Sequence, residues 1–579
     1  MVTNYDVGRI FLEMAEALEL RGEDPFRIRA YQNAARTVLA LSEPLPEIRD
    51  RGELQALEGI GERMAAKIEE ILDTGHLRQH DELMREFPPG VMELLRVPGI
   101  GPRTAETLYE QLGVTNIDEL ERAAQEGRIR ELRGFGKKTE ENILQNIERA
   151  RRTTARVPLA RAYPLARQII AELKRTAPVA EIEAAGSLRR MREDVGDIDI
   201  LVTSDDPAAV MAAVTRLPEV QRIIATGPTK TTILTNIGLQ VDVRAVEPRN
   251  FGAALQYFTG SKAHNVKLRT LAVRMGYKLS EYGIFRADTD ERIGGRDEEE
   301  MYRPLGIVMY PPELREDRGE IELGLKGVIP NFVEVRDLRG DLHVHSDWSD
   351  GRASMREMAL AARARGYEYV AISDHSLGRG IAHGLTVERL RQQIREIRAL
   401  NDAINGITLL AGAEVDIRRD GSLDYPDEVL GQLDLCIASV HSAFGLSQHD
   451  QTERVLRAMR NPFLDILGHP TGRLIGSREP LNLDMRRLMR EAAERGVAME
   501  VNSWPERLDL NDEHILQARE LGVPLVINTD AHAPEHYENI FYGVATARRG
   551  WAVPADVLNT LPLKRLLTRL RRNVMQKAA

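Results

Sequence analysis

The stretch Gly186–Ile200 reads GSLRRMREDVGDIDI. Its last residues, Asp197-Ile198-Asp199-Ile200, alternate carboxylate and aliphatic side chains. Alternation at period two predicts a strand with one buried face. Both aspartates then leave that strand on the same side. Two like charges held that close are costly unless a cation neutralises them. Hard oxygen donors with open positions suit Mg²⁺ or Mn²⁺ shared with substrate phosphates. Upstream, Gly186-Ser187 follows the run Ile182–Ala185 and predicts a helix start, a small residue plus a hydroxyl that can receive a phosphate. Arg189 and Arg190 follow within one turn. A third acid, Asp242, lies in the alternating segment Leu239–Val243. A neighbouring antiparallel strand would set it beside the pair. Three carboxylates can hold two ions for in-line displacement at phosphorus. The plain alternative is a solvated edge strand with acidic teeth.

A second set of chemistry-bearing residues lies later. His343 and His345 alternate in Asp341–Gly351, so both imidazoles face one side of a strand. Further donors each end an apolar run: Asp374-His375, Glu414, His441, His469 and Asp530-Ala531-His532. A lone histidine after a strand is usually structural. Six of the 13 histidines at such positions argue for a metal centre. Imidazole plus carboxylate suits Zn²⁺, Mn²⁺ or Fe²⁺. Helical stretches such as Met355–Arg365 and Val387–Leu400 separate the runs. Strands alternating with helices predict a (β/α) barrel with its site at the C-terminal mouth. Arg379 and Arg473 are candidate phosphate clamps. Asp374 reads as an outer support to the ligands, and Asn502 and His514 as weaker candidates.

The elements that precede both sites are of a different kind. Phe11, Met14, Leu18 and Leu20, then Ala30, Ala34, Ala35 and Val38, recur at helical spacing. One signal repeats three times: Leu57-Glu58-Gly59-Ile60-Gly61, Val97-Pro98-Gly99-Ile100-Gly101 and Leu132-Arg133-Gly134-Phe135-Gly136. Each precedes an amphipathic helix, the helix-hairpin-helix pattern. Gly59, Gly99 and Gly134 permit a tight turn. With Gly61, Gly101 and Gly136 they leave backbone amides and a helix start facing a DNA phosphate, without reading sequence. The alternative is three glycine caps that bind nothing.

At 579 residues the chain is long enough for several domains. Its net charge of −10 excludes a uniformly basic nucleic-acid binder but not local basic patches. A single cysteine, Cys436, excludes an intramolecular disulfide framework. With no long apolar run, a cytoplasmic protein that does not enter membranes is expected. The segment Leu561–Ala579 holds six basic residues and no acidic one, which predicts a solvated helix face, with contact to nucleic acid as the alternative.

Gly-Ser, then D-x-D, then a distant acid resembles the nucleotidyltransferase pattern of family X DNA polymerases. Tyr257-Phe258-Thr259-Gly260-Ser261 matches that family's YFTGS turn, and Ser280-Glu281-Tyr282-Gly283 resembles its N-E-Y turn. The resemblance spans roughly residues 1–315. It implies Asp197, Asp199 and Asp242 as catalytic metal carboxylates. It implies Gly186, Ser187, Arg190, Gly196, Tyr257, Phe258, Gly260 and Asn265 around the incoming nucleotide. Tyr257 and Phe258 would crowd a 2′-hydroxyl, Asn265 would read the base edge, and Arg269 and Tyr282 would meet DNA. Lys262 and His264 depart from the better-known relatives. The same resemblance places backbone carbonyls of Gln55, Leu57 and Ile60, and of Leu95, Val97 and Ile100, around a monovalent cation. Lys67 falls on the Schiff-base lysine of lyase-active members, with Tyr31 matching a family tyrosine and Arg27 replacing a lysine. Arg63 one turn earlier would lower the lysine's pKa. A phosphate-contact lysine is the plainer reading.

The pattern H-x-H…D-H…E…H…H…D-x-H resembles the PHP phosphoesterases, a distorted seven-stranded barrel with three metals. Position by position it implies His343, His345, Asp350, His375, Glu414, His441, His469, Asp530 and His532 as ligands.

The expected organisation is multidomain: a helical helix-hairpin-helix region at 1–80 and 81–152, an α+β palm at 153–250 and thumb at 251–318, a linker at 319–340, and a (β/α)7 PHP barrel at 341–579. The expected activities are gap-filling DNA synthesis from dNTPs in repair and 3′–5′ exonucleolysis, with end trimming or abasic-site cutting within reach of the same chemistry. Gapped or primed duplex DNA is the expected partner of a monomer. The rivals are a barrel acting as a small-molecule phosphatase and a non-catalytic DNA-binding scaffold.

Overall fold

The structure is a computed structural model. It describes residues 2–570 apart from 3, 42–43, 58, 88–89, 96, 98–99, 133, 155 and 379–381. Gly99, Arg379 and the basic residues beyond 570 therefore lie outside the described residues. The chain divides into two compact units, Met1–Ala155 and Arg156–Ala579. Among the described residues no helix is long and apolar enough to cross a membrane.

The first unit is helical, as its periodicity predicts. Helices Asn4–Leu20 and Pro25–Ala40 bury Phe11, Met14, Leu18, Ala34, Ala35 and Val38 against each other. A second core gathers Val91, Leu94, Leu108, Leu120 and Ile143. The three hairpin turns are built alike. Ile60 N–H donates to the Leu57 carbonyl at 3.0 Å, Ile100 to Val97 at 2.9 Å and Phe135 to Leu132 at 3.0 Å. Helices Glu62–Thr74, Pro102–Leu112 and Lys137–Thr154 then start after Gly61, Gly101 and Gly136. Gly59 and Gly134 take φ of +75° and +93°, the conformation that makes these turns glycine positions.

The second unit begins with a five-stranded sheet of β1 (Glu181–Ala184), β2 (Asp197–Thr203), β3 (Val220–Thr226), β4 (Lys230–Thr235) and β5 (Gln240–Ala245). Its order is β1-β2-β5-β4-β3. In β2, Ile198 and Ile200 are fully buried while Asp197 and Asp199 are not. One expectation is corrected: β5 runs parallel to β2, not antiparallel. Helix Pro207–Val214 and the β3–β4 hairpin carry the chain across before β5 returns, which is the long crossover that parallel pairing needs. Strands β6 (Tyr277–Ser280), β7 (Gly283–Arg286) and β8 (Arg292–Gly294) follow as a small antiparallel sheet beside helices Phe251–Thr259 and Lys262–Arg274.

The last part alternates parallel strands and helices. The strands are β9 (Gly340–Val344), β10 (Tyr369–Ile372), β11 (Thr408–Ala411), β12 (Glu414–Asp416), β13 (Ile437–Ser439), β14 (Ile466–Leu467), β15 (Ala498–Asn502) and β16 (Leu525–Asn528). Only Gly412 and Ala413 separate β11 from β12, so the eight segments act as seven barrel strands. A parallel bridge between Val344 and Ala531 joins the first to the last. Cys436 is buried and takes part in no disulfide among the described residues. In the C-terminal segment Lys564, Arg565 and Arg569 are exposed, the solvated face expected, while Leu566 and Leu570 on the other side pack with Leu342, Tyr369 and Ile466 in one core. Its apolar residues, not its charges, decide where it lies.

Candidate functional site

In the palm, Asp199 and Asp242 are direct register partners on parallel strands, so their side chains share a face. Asp197 begins the same strand. Gly186 takes φ +65°, and a Cβ there would lie 3.0 Å from Asp199 Oδ2. Glycine thus lets the 186–190 turn approach the acids. Burial, then the charges on Asp197 and Asp242, pushes the Asp199 carboxyl up to about 6. Burial and Asp242 also push Asp197 up. The trio is short of positive charge, and only Lys230 Nζ pairs with it directly among the described residues, 2.7 Å from Asp242 Oδ2. Such a donor set fits hard divalent cations.

Around this trio the nucleotide candidates are more interlocked than spacing predicts. Ser187 Oγ makes no hydrogen bond among the described residues. Arg190 is not free: its Nε meets Glu316 Oε1 at 3.0 Å, and its Nη1 donates to the Thr259 carbonyl. Gly260 has φ +70°, and a Cβ there would sit 3.2 Å from Arg190 Nη1. Gly196 lies against Arg156. The rings of Tyr257 and Phe258 stand edge to face 5.2 Å apart, with Arg244 over Phe258. Asn265, expected to read a base, is 8% exposed. It donates to the Tyr257 carbonyl and accepts from Gln256, each at 2.7 Å, so it holds the turn. His264 is buried between Glu320 and Tyr302, which explains the departure at this position as packing. Arg269 and Tyr282 are exposed.

All nine barrel candidates converge. Donor atoms of His345, Asp350, His375 and His532 lie within 4.8 Å of one another, as do those of His343, His345 and Asp530, and of His375, Glu414 and His441. His469 Nε2 joins at 2.9 Å from Glu414 Oε1. Nε2 of His343 and both ring nitrogens of His345 are buried without a hydrogen bond among the described residues. A cation would satisfy them, so the donors present fit metal ions. Burial, reinforced by His532 and His375, takes His345 down to about 3, leaving its lone pair open. Burial also acts on Glu414 and Asp530, but the surrounding imidazoles outweigh it and hold both well below the usual carboxylate range. His469 and Asp530 take positive φ of 23° and 56°, strain that clusters where function requires it.

Several supporting residues escaped the sequence. Glu500 accepts from His343 Nδ1 at 2.8 Å and from the His469 amide at 2.7 Å. Asp416 orients His441. Carboxylates on the far imidazole nitrogen fix ring and tautomer. Their signal was weak: Asp416 sits two residues past Glu414, and Glu500 lies in an apolar strand far from any ligand in sequence. Arg507 lies 3.9 Å from Asp530 with a buried, unpartnered Nη1, and Trp504 packs 6.0 Å from His532. Asp374 accepts from Ser346 and Gln393, the outer role expected. Asn502 donates to Asp530 at 3.0 Å. His514 lies near Asp509 and Arg473, outside the ligand groups. Arg473 is corrected: it pairs with Glu193 of the palm at 2.7 Å and with the Arg507 and Leu508 carbonyls. An arginine that joins the barrel to the palm is indistinguishable by sequence from a phosphate clamp.

In the first unit, Lys67 Nζ donates to Gln79, which also accepts from Tyr31 at 3.1 Å. The Tyr31 ring centre lies 5.8 Å from Lys67 Nζ. Burial, with Arg27 rather than Arg63, lowers the lysine's pKa.

Comparison with known proteins follows the same division. Residues 2–77 match the helix-hairpin-helix domain and 91–149 the SAM-like helix-hairpin-helix tandem. Residues 156–243 match the DNA polymerase beta palm, 254–316 the DNA polymerase beta thumb and 341–503 the PHP domain. The DNA polymerase/3′-5′ exonuclease PolX of Bacillus subtilis (strain 168) is 40% identical over 570 residues, 98% of this chain and 99% of the relative. DNA polymerase lambda of Rattus norvegicus is 25% identical over 332 residues, 52% of this chain and 54% of its own. A "Probable phosphatase" of Acetivibrio thermocellus is 30% identical over 203 residues, 33% of this chain and 78% of its own.

Proposed function

The chain belongs to the family X DNA polymerases that carry a C-terminal PHP domain, and from that premise we propose how its two clusters divide the work. It is a DNA-directed DNA polymerase and 3′–5′ exonuclease that binds DNA through its helix-hairpin-helix region. In our reading it fills short gaps during repair, as a cytoplasmic monomer, from dNTPs. The supporting observation is the pairing of two unlike metal-competent clusters in one chain: Asp199 opposite Asp242 beside a glycine turn, and nine convergent donors in the barrel.

Asp197, Asp199 and Asp242 would hold Mg²⁺ or Mn²⁺, and the nine barrel donors up to three Zn²⁺, Mn²⁺ or Fe²⁺. Bound there, such ions supply charge neutralisation at phosphate and acidify the attacking oxygen. The chain's own residues set the geometry. The Gly186–Ser187 turn offers an open hydroxyl to the triphosphate. Tyr257 and Phe258 wall the sugar, with Asn265 holding their turn. In the barrel, Glu500 and Asp416 fix imidazole orientation. Arg507 offers an unpaired N–H beside Asp530 for the scissile phosphate. Gly59, Gly61, Gly101, Gly134 and Gly136 hold backbone phosphates, and Leu57 and Val97 offer carbonyls to a monovalent cation. In our reading Lys67, desolvated beside Tyr31 and Gln79, would serve Schiff-base chemistry at abasic sugars, with a phosphate contact as its plainer role. The boundaries 1–80, 81–152, 153–250, 251–318, 319–340 and 341–579 describe the working parts.

The test uses an end-labelled gapped duplex with dNTPs and Mg²⁺ or Mn²⁺. Asp197→Ala should stop extension and leave shortening; His343→Ala should do the reverse. Loss of both activities in either variant would refute two separate sites. Faster phosphate release from histidinol phosphate than nucleotide release from a primer would favour a small-molecule phosphatase barrel.

A further inference from the structure

The barrel and the palm meet through alternating charges, and Arg549 is at their centre. It ends the barrel helix Ile540–Arg549, with a side chain 3% exposed. Its Nη2 pairs with Asp512 at 2.7 Å. Its Nη1 donates to the main-chain carbonyl of Arg190 at 2.6 Å and lies 3.1 Å from Glu316 Oε1. That same carboxylate oxygen receives Arg190 Nε at 3.0 Å. Arg190 in turn donates to the carbonyl of Thr259, the residue before the Gly260 turn. One barrel guanidinium therefore reaches both the 186–190 turn and, through Arg190, the Tyr257–Gly260 turn.

These are not surface ion pairs of the kind that contribute little. Burial pushes the Glu316 and Asp512 carboxyls up, but the arginines outweigh it: Arg190 and Arg549 at Glu316, Arg549 and Arg318 at Asp512. Both carboxyls end below their ordinary values. Removing Arg549 leaves two buried carboxylates sharing fewer cations and the Arg190 carbonyl without its donor. Partnerless buried charge is costly, and Arg190, already 3.0 Å from Glu316, is the group left to rearrange around it. The rest of the seam does not depend on Arg549. Arg548 pairs with Glu313 at 2.9 Å, Arg473 pairs with Glu193, and Leu508 and Ala545 pack into the palm core.

We propose that Arg549, a residue of the phosphoesterase barrel, is a positioning residue for the polymerase reaction: through Glu316 and the Arg190 carbonyl it fixes the two turns that hold the incoming nucleotide. This rests on the reading of those turns as the nucleotide site. The coupling is reciprocal, so nucleotide binding also tightens the barrel against the palm.

The test is single-nucleotide incorporation by the full-length, metal-loaded protein on a gapped primer, titrating dNTP, with primer degradation measured separately without dNTP. Arg549→Ala should raise KM for dNTP about five- to tenfold, with kcat held within about twofold and exonuclease rate unchanged. Arg549→Lys keeps a cation but cannot bridge all three partners, and should raise KM about twofold. It decides the matter if Arg549→Ala does not fold. Arg548→Ala, one residue away on the same seam, should leave KM unchanged. If Arg190→Ala raises KM while Arg549→Ala and Arg549→Lys do not, the proposal fails and the nucleotide reading stands. If Arg190→Ala also leaves KM unchanged, the nucleotide reading fails and takes the proposal with it. A parallel fall of kcat, exonuclease rate and melting temperature, with KM constant, would make Arg549 structural only.

Discussion

The palm and the barrel present two solutions to holding cations over a phosphodiester. The palm gathers carboxylates alone. Burial and mutual repulsion push Asp197 and Asp199 up, with Lys230 as the one directly paired cation among the described residues. The barrel interleaves imidazole with carboxylate, and Glu414 alone lies within 4 Å of His343, His345, His375, His441 and His469. Its carboxylates are held ionised by the imidazoles before any metal arrives, while buried ring nitrogens of His343 and His345 stay open for one. An acid-only cluster is unstable empty and suits an ion that comes and goes with a nucleotide. A balanced, enclosed cluster suits resident ions.

The largest effects should separate the two. Asp199→Asn should cut incorporation by about 10³-fold or more, and Glu414→Gln should cut primer degradation by a similar factor. Their stabilities should diverge in chelator-treated protein. Removing the Asp199 charge relieves repulsion and raises the melting temperature. Removing the Glu414 charge leaves buried imidazoles unpaired and lowers it. Equal shifts of the same sign, read by calorimetry, would erase the distinction. Next in size is Glu500→Gln, which keeps shape but weakens the orienting bond to His343. About a 10- to 100-fold loss of barrel metal affinity or exonuclease rate is expected, with incorporation intact.

A pH series sharpens the same contrast. The folded-state pKa of Asp199 is raised to about 6 from 3.8. The folded, metal-free protein then holds a proton that the unfolded chain has released. Its contribution to stability is complete below about pH 4 and is lost as pH rises toward 6, at most about 1.4 kcal/mol per unit. Asp199→Asn should flatten that slope in chelator-treated protein. Glu414 and Asp530 have the opposite sign: their contribution is present above the ordinary carboxylate range and is lost as pH falls through their lowered values. A slope between pH 4 and 6 unchanged by Asp199→Asn would break the account of the palm.

How much of this was legible in sequence follows the same divide. Ligands at strand ends announce themselves, because His343, His345 and Asp199 interrupt apolar runs that have no other reason to break. Three repeated G-x-G turns likewise fixed the shape of the first unit. What spacing hid were relations between distant segments. The parallel return of β5 depends on a crossover that no single strand records. Arg190 and Arg473 look like anion ligands until Glu316 and Glu193 are brought beside them by the fold. Asn265 also holds the Tyr257 turn through Gln256 and the Tyr257 carbonyl, a role that its spacing does not announce. Polar residues committed to long-range partners carry no periodicity of their own.

The smallest expected effect tests whether the lysine paired with Asp242 competes with metal or prepares for it. Lys230 Nζ lies 2.7 Å from Asp242 Oδ2, and the lysine side chain is 40% exposed. A half-exposed pair of this kind is worth a fraction of a kilocalorie to about 1 kcal/mol. If the ammonium occupies part of the charge that a divalent ion would neutralise, Lys230→Met should lower the Mg²⁺ concentration for half-maximal incorporation about two- to threefold. Exonuclease metal demand should not change, because among the described residues no barrel donor pairs with Lys230. If Lys230 instead holds Asp242 in register with Asp199, the same variant raises the Mg²⁺ requirement, and the repulsion assigned to the empty palm would have to be counterbalanced by positioning. The direction of that shift, more than its size, says whether the acid cluster is short of cations or already supplied with one.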